Sequence, residues 1–211
     1  MTGRVLRRLH VTTLGLMAVA SLACAGWAGD FRRIPGHSMA PTLLAGDHVR
    51  VDPDRSSLQV GDIIAFRHPQ RDGTVVVKRV VALAGDLIEV NGHQITRNGE
   101  VQAMEDRDVS TATDDRCVTV DTVSHVEKLE GRAHRIRTPP DGGGRHAHME
   151  GLTVPPDTVF VMGDNRGSSE DSRSFGAVPR GHVLGVVTTV LHSMDDCTGK
   201  ARRERFGLVP E

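Results

Sequence analysis

The 211-residue chain has no tyrosine, one tryptophan and only 3% aromatic residues. Without aromatic faces, a base-stacking platform for single-stranded nucleic acid is not expected. Neither sign of charge dominates: 26 Lys and Arg stand against 27 Asp and Glu, for a formal net charge of -1. No basic field points to a nucleic-acid partner. The three cysteines, Cys24, Cys117 and Cys197, form no C-x-x-C pair, so a zinc ribbon is unsupported. Cys117 and Cys197 pair if the domain faces an oxidising compartment; the alternative is two unrelated thiols. After residue 29 no apolar run is long enough to span a membrane.

One such run comes earlier. Residues 11–29, VTTLGLMAVASLACAGWAG, carry no charge. As a helix they just reach across a bilayer, and Arg4, Arg7 and Arg8 in front of them keep the N-terminus cytoplasmic. The expectation is a cytoplasmic segment 1–10, a transmembrane anchor 11–29 and an extracytoplasmic remainder. Two alternatives are a cleaved signal peptide with A-x-A-like sites and a lipidated Cys24. All three export the domain.

The exported part is rich in turns and poor in helical periodicity. Four Gly-Asp pairs punctuate it, at 46–47, 61–62, 85–86 and 163–164. Glycine supplies positive φ and aspartate bonds back to the backbone. The first three lead into the strand-like runs HVRV, IIAF and LIEV. Further strands are predicted at 74–82, 118–126, 158–162 and 183–191. The fold class is mainly β, with a barrel-like body. Composition divides the exported chain into 30–96, an inserted region 97–157 with a Gly/His loop, 158–192, and a polar solvated tail 193–211. His134, His146 and His148 in the insertion read as loop residues, since no carboxylate or cysteine completes a metal-ligand spacing.

Three stretches carry chemistry. GHSMAPTLLAGD, residues 36–47, holds Ser38 on a loop bracketed by Pro35 and Pro41, with Met39 set against apolar surface or lipid. TVVVKRVVALAGD, residues 74–86, is a strand. Val76, Lys78 and Val80 share one face, and Val75, Val77, Arg79 and Val81 the other. Lysines in edge strands snorkel to water. A desolvated Lys78 is a base instead: lowering an amine from ~10.4 to near 7 costs about 4–5 kcal/mol. Such an amine takes a serine proton and returns it to a leaving amine. His37, His48 and His68 are competing bases, but no G-x-S-x-G elbow supports a histidine triad. In VFVMGDNRGSSEDSRSFGAVP, residues 159–179, Asp171 and Arg173 are spaced to pair across a tight turn, and Ser169 offers a hydroxyl to a buried amine.

Together these stretches resemble the bacterial type I signal peptidases, membrane-anchored serine peptidases with a Ser/Lys dyad. GHSMAPTLLAGDHVRVD is similar to the nucleophile box, and GDIIAFRHP and VVVKRVVALAGDLIEV to the next strand and the lysine box. GDNRGSSEDSRSFGAVP is similar to the last box. The resemblance covers 34–96 and 157–191. It implies Ser38 as nucleophile, Lys78 as general base, Ser169 as the residue orienting the amine, and an Asp171–Arg173 salt bridge as support. It also implies a β-rich core on the outer membrane surface with 97–157 as its inserted cap. Its substrates are exported preproteins cut after Ala-x-Ala-like motifs, with membrane lipid and a secretion translocase as neighbours and no metal or organic cofactor.

Some positions depart from that pattern. Gly36 stands where some members carry an oxyanion-binding hydroxyl, so the oxyanion falls to backbone N–H groups at Gly36 and Ser38. His37 replaces a small residue, and Ala84 stands at the usual proline of the ALAGD turn. Self-cleaving repressors of the SOS type share an SM-x-P segment but carry a DNA-binding N-terminus, whereas this one is apolar. A peptidase dedicated to one partner and an inactive binding scaffold are the remaining alternatives.

Overall fold

The computed structural model describes residues 30–142 and 148–211. The N-terminal segment, the expected anchor 11–29, Cys24 and His146 lie outside them. Among the described residues no helix is long and apolar enough to cross a membrane. Strand follows strand: β1 (Asp30–Arg33), β2 (Asp47–Asp52), β3 (Ile63–Arg67), β4 (Val75–Leu83), β5 (Leu87–Asn91), β6 (Gln94–Arg97) and β7 (Glu100–Val101). They continue as β8 (Met104–Thr113), β9 (Thr119–Leu129), β10 (Arg132–Thr138), β11 (His148–Thr153), β12 (Thr158–Met162), β13 (Val178–Pro179) and β14 (Val183–Ser193). A single short helix, α1 (Ser172–Phe175), is described among them, with brief 3-10 turns.

The strands form three antiparallel sheets. Seven make the main sheet, in the order β1-β2-β14-β3-β4-β12-β13. β10-β9-β8 form a second sheet and β11-β5-β6-β7 a third. Sheet membership therefore changes after Leu83, ahead of residue 97 where composition shifts. Burial follows position. β2 alternates buried and half-buried residues, as a strand with one face on the core must. β12, TVFVM, which lies between β4 and β13, is buried at four consecutive positions. Ile88, Val90, Ile95 and Leu129 from the smaller sheets pack against Val81, Phe160 and Met162 of the main one.

The expected turn chemistry is present. Gly46 and Gly61 have φ of +85° and +94°, open to glycine and strained for other residues. The following aspartates reach back three residues, Asp47 Oδ2 accepting from Leu44 N–H at 2.9 Å and Asp62 Oδ2 from Gln59 N–H at 2.8 Å. Each turn thus satisfies its own backbone before the strand begins.

Three expectations need correction. Met39 is not at the surface: it is 1% exposed and packs with Ile34, Leu43, Val49, Ile63 and Val190. The tail is largely exposed, as expected, but it is not a loose end. Gly207 N–H donates to Val190 O and Val190 N–H to Leu208 O, both at 2.8 Å, so the tail lies along β14. Arg205 adds a bidentate pair with Asp47, which is fully buried. Third, His134 does not sit on a solvated loop. It is a buried β10 residue 3.1 Å from Glu127 Oε2. Cys117 and Cys197 are joined in a disulfide, with Cα atoms 5.5 Å apart.

Candidate active site

Ser38 sits on the loop between β1 and β2. The ends of that loop are pinned together: Ile34 N–H donates to Asp47 O at 2.8 Å and Gly46 N–H to Ile34 O at 2.9 Å. Met39, Ala40 and Leu43 are buried beneath it, so the loop is anchored by its own apolar side chains while Ser38 stays half-buried. From the other side, Asn165 clamps it. Its backbone N–H donates to Ser38 O at 3.1 Å and its side-chain amide to His37 O at 3.1 Å.

Lys78 reaches this loop from the middle of β4. It does not snorkel: the residue is 3% exposed. Its Nζ lies 2.8 Å from Ser38 Oγ and 3.0 Å from Val77 O. Burial is the main influence on the amine and lowers its pKa from 10.5 to about 8; the Asp171, Asp164 and Glu170 carboxylates oppose that shift. Ser38 and Lys78 open onto a cleft of about 200 Å³, walled by Ile34, Gly36, Val75 and Val77.

None of the competing histidines hydrogen-bonds Ser38. His37 turns away toward Asp115, whose Oδ1 is 3.1 Å from Nδ1 and accepts from the His37 backbone N–H at 3.0 Å. The His48 ring meets His192 edge-on. His68 accepts from Gln70 N–H through Nδ1 and packs on Phe175.

The stretch after β12 frames the site. Gly163 is a close-approach glycine: a Cβ there would fall 2.2 Å from Ser169 Oγ and 2.4 Å from Ser38 O. Asp171 and Arg173 form a bidentate pair at 2.8 and 2.7 Å, with both side chains fully buried. Burial alone would raise the Asp171 pKa, but Arg173 overrides it and holds the carboxyl below its usual range. Asp171 also caps α1, accepting from Arg173 N–H, and takes the Gly163 N–H at 3.0 Å. Ser169 is 1% exposed, and its hydroxyl, together with Arg173, helps hold the Asp171 carboxyl below its usual range. The Lys78 amine bonds Ser38 and Val77, and the expected bond to Ser169 is not formed here.

Sequence reasoning missed two buried ion pairs that hold this frame. Arg79, next to Lys78 and facing the other way, forms a bidentate pair with Asp164 at 2.9 and 2.7 Å. Thr42, on the loop that carries Ser38, donates to the same carboxylate at 2.5 Å, joining loop, strand and turn through one group. An arginine inside a valine-rich strand was the available signal. Arg166 pairs with Glu127 of β9, at 2.7 and 2.5 Å, tying the turn to the inserted sheet. The two lie 39 positions apart and no local pattern connects them. Among the described residues no cluster of His, Cys, Asp and Glu could hold a metal ion.

The chain is similar to known proteins over most of its length. The family model for signal peptidase, peptidase S26, matches residues 6–192. A probable signal peptidase I-1 from Synechocystis is 29% identical over 186 residues, covering 83% of this chain and 78% of the relative. Signal peptidase I of Leptolyngbya laminosa is 30% identical over 190 residues, covering 83% and 74%. A solved signal peptidase I from Enterococcus faecalis V583 is 29% identical, covering 63% of this chain and 97% of its own, with a TM-score of 0.37. With a match spanning the Ser38 loop, β4 and the turn after β12, the chain belongs to the signal peptidase family, peptidase S26.

Proposed function

We propose that this signal peptidase I removes signal peptides from exported preproteins after Ala-x-Ala-like sites, with Ser38 as nucleophile and Lys78 as general base. The observation that carries this reading is the 2.8 Å contact between Lys78 Nζ and Ser38 Oγ, made by an amine whose pKa is lowered to about 8. At pH 7 about a tenth of such an amine is neutral. The neutral form accepts the Ser38 hydroxyl proton as Oγ attacks the scissile carbonyl. The ammonium so formed passes that proton to the departing amine, leaving an acyl-enzyme that water hydrolyses with Lys78 again as base.

Each further residue has a role consistent with its place. Backbone N–H groups at Gly36 and Ser38 face the developing oxyanion. The Asp171–Arg173 pair fixes the turn that carries Ser169, and Ser169 orients the amine once substrate tightens the site. A cleft of about 200 Å³ walled by Val and Ile suits small side chains, and a peptide added beside β4 presents alternate residues to it. Residues 11–29 anchor the protein in the membrane, with the catalytic part extracytoplasmic, close to lipid and to the secretion translocase.

Ser38→Ala and Lys78→Ala, each confirmed folded, are expected to lower kcat/KM on a preprotein with an Ala-x-Ala site by about three orders of magnitude or more. Normal processing by either variant would overturn the dyad.

A further inference from the structure

The Ser38–Lys78 cleft occupies one side of the nucleophile loop. A second cavity, about 480 Å³, adjoins the loop through His37, the residue next to Ser38, and is lined also by Asp115, Thr122, Arg137, Asn165 and Ser168. Asn165 places it close to the reacting serine, because its N–H is bonded to Ser38 O at 3.1 Å. A polypeptide held in the first cleft with its scissile carbonyl at Ser38 must carry its downstream residues past this loop. The turn between β8 and β9 supplies the opposite wall. Asp115 docks it on His37, and the Cys117–Cys197 disulfide ties it to the tail.

Arg137 of β10 sets the chemistry of this cavity. Its backbone is fixed by the bond from its N–H to Asp164 O at 2.8 Å. Its side chain behaves unlike the arginines around it. Arg79, Arg166 and Arg173 each grip a carboxylate, whereas Arg137 makes no ion pair among the described residues and its Nε is buried without a partner. Burial lowers its pKa with no carboxylate opposing the shift. The acids on the same wall are engaged elsewhere. Asp114 holds Arg116 and the turn N–H groups of Arg116 and Val118, and Asp115 holds His37. Asp121 is exposed at the rim. A half-buried guanidinium with an unpartnered Nε and no counter-ion, lining a cavity, is a ready receptor for a carboxylate.

We propose that this cavity is the subsite for the residues immediately downstream of the scissile bond, and that Arg137 there selects an aspartate or glutamate of the substrate. The inference rests on the peptidase reading above. It makes the inserted β8–β9 hairpin a wall of the substrate channel and gives the enzyme a preference on the mature side of the cut.

The test uses the full chain in detergent and peptides identical up to the cleavage site. Glu or Gln is placed in turn at each of the first three downstream positions. The expected result is a Glu-over-Gln advantage in kcat/KM of about 10-fold at one position, in the range of a charge-assisted hydrogen bond. Arg137→Gln should bring that ratio near one, and Arg137→Lys should retain part of it. The same ratio should appear in Kd for uncleaved peptides bound to Ser38→Ala. A wild-type ratio near one at all three positions would overturn the proposal, as would a ratio unchanged by Arg137→Gln. An Arg137-dependent Kd ratio without any cleavage by the wild type would sink the peptidase reading alone and leave the carboxylate site standing.

Discussion

Lys78 and Arg79 are neighbours on β4, 3% and 1% exposed, and burial treats them in opposite ways. Arg79 keeps its charge because Asp164 meets it with two hydrogen bonds. Lys78 has only a hydroxyl and a carbonyl in contact, so its ammonium is poorly compensated. Lowering its pKa from 10.5 to about 8 corresponds to roughly 3 kcal/mol against the charged folded form. Between those two values the unfolded chain binds the proton more tightly than the folded one. The penalty is therefore complete below pH 8 and fades as pH rises toward 10.5, so stability rises across that window. Lys78→Met removes the amine and keeps most of the volume. It should abolish cleavage and stabilise the protein by about 1–3 kcal/mol at pH 7, read from the denaturant midpoint. A lower midpoint would mean that the surrounding carboxylates compensate the ammonium after all.

Elements were legible where their causes are local. The Gly-Asp turns preceding β2, β3 and β5 follow from glycine at positive φ and an aspartate reaching back three residues. The fourth pair has another cause: Gly163 is needed for its closeness to Ser38 and Ser169, and Asp164 serves Arg79. The long β8–β9 hairpin was legible as a strand in β9, but nothing local said that its turn would reach His37. The same hairpin tip carries a disulfide between residues 80 positions apart. Closing such a separation restricts the unfolded chain by about 4 kcal/mol in the chain-entropy model. Replacing Cys117 and Cys197 by alanine should therefore lower unfolding free energy by about 2–4 kcal/mol. An unchanged denaturant midpoint would show that the hairpin tip is held by its other contacts.

The molecule as a whole assembles the candidate site from distant pieces: the loop after β1, the middle of β4 and the turn after β12. Each piece carries patterned sequence, so Ser38, Lys78 and the Asp171–Arg173 pair stood out as candidates, and the family resemblance supplied their expected roles. The frame between them did not stand out. Arg79–Asp164, Arg166–Glu127 and Arg205–Asp47 each join groups far apart in the chain, and a charge pattern does not show which carboxylate an arginine will find. The tail illustrates the same limit: read as a loose polar end, it is held along β14 by the backbone bonds of Gly207 and Leu208 and tied to Asp47 of β2 by Arg205. Among these pieces the Lys78 amine is held dry beside Ser38. The pH dependence of kcat/KM on a preprotein substrate tests that most directly, since it reports the base of the free enzyme. The account predicts a rise with pH centred at about 8, the value burial gives Lys78. A rise centred near ~6.5 would assign the base to a histidine, and one found only above ~10 would mean an amine that burial has not lowered.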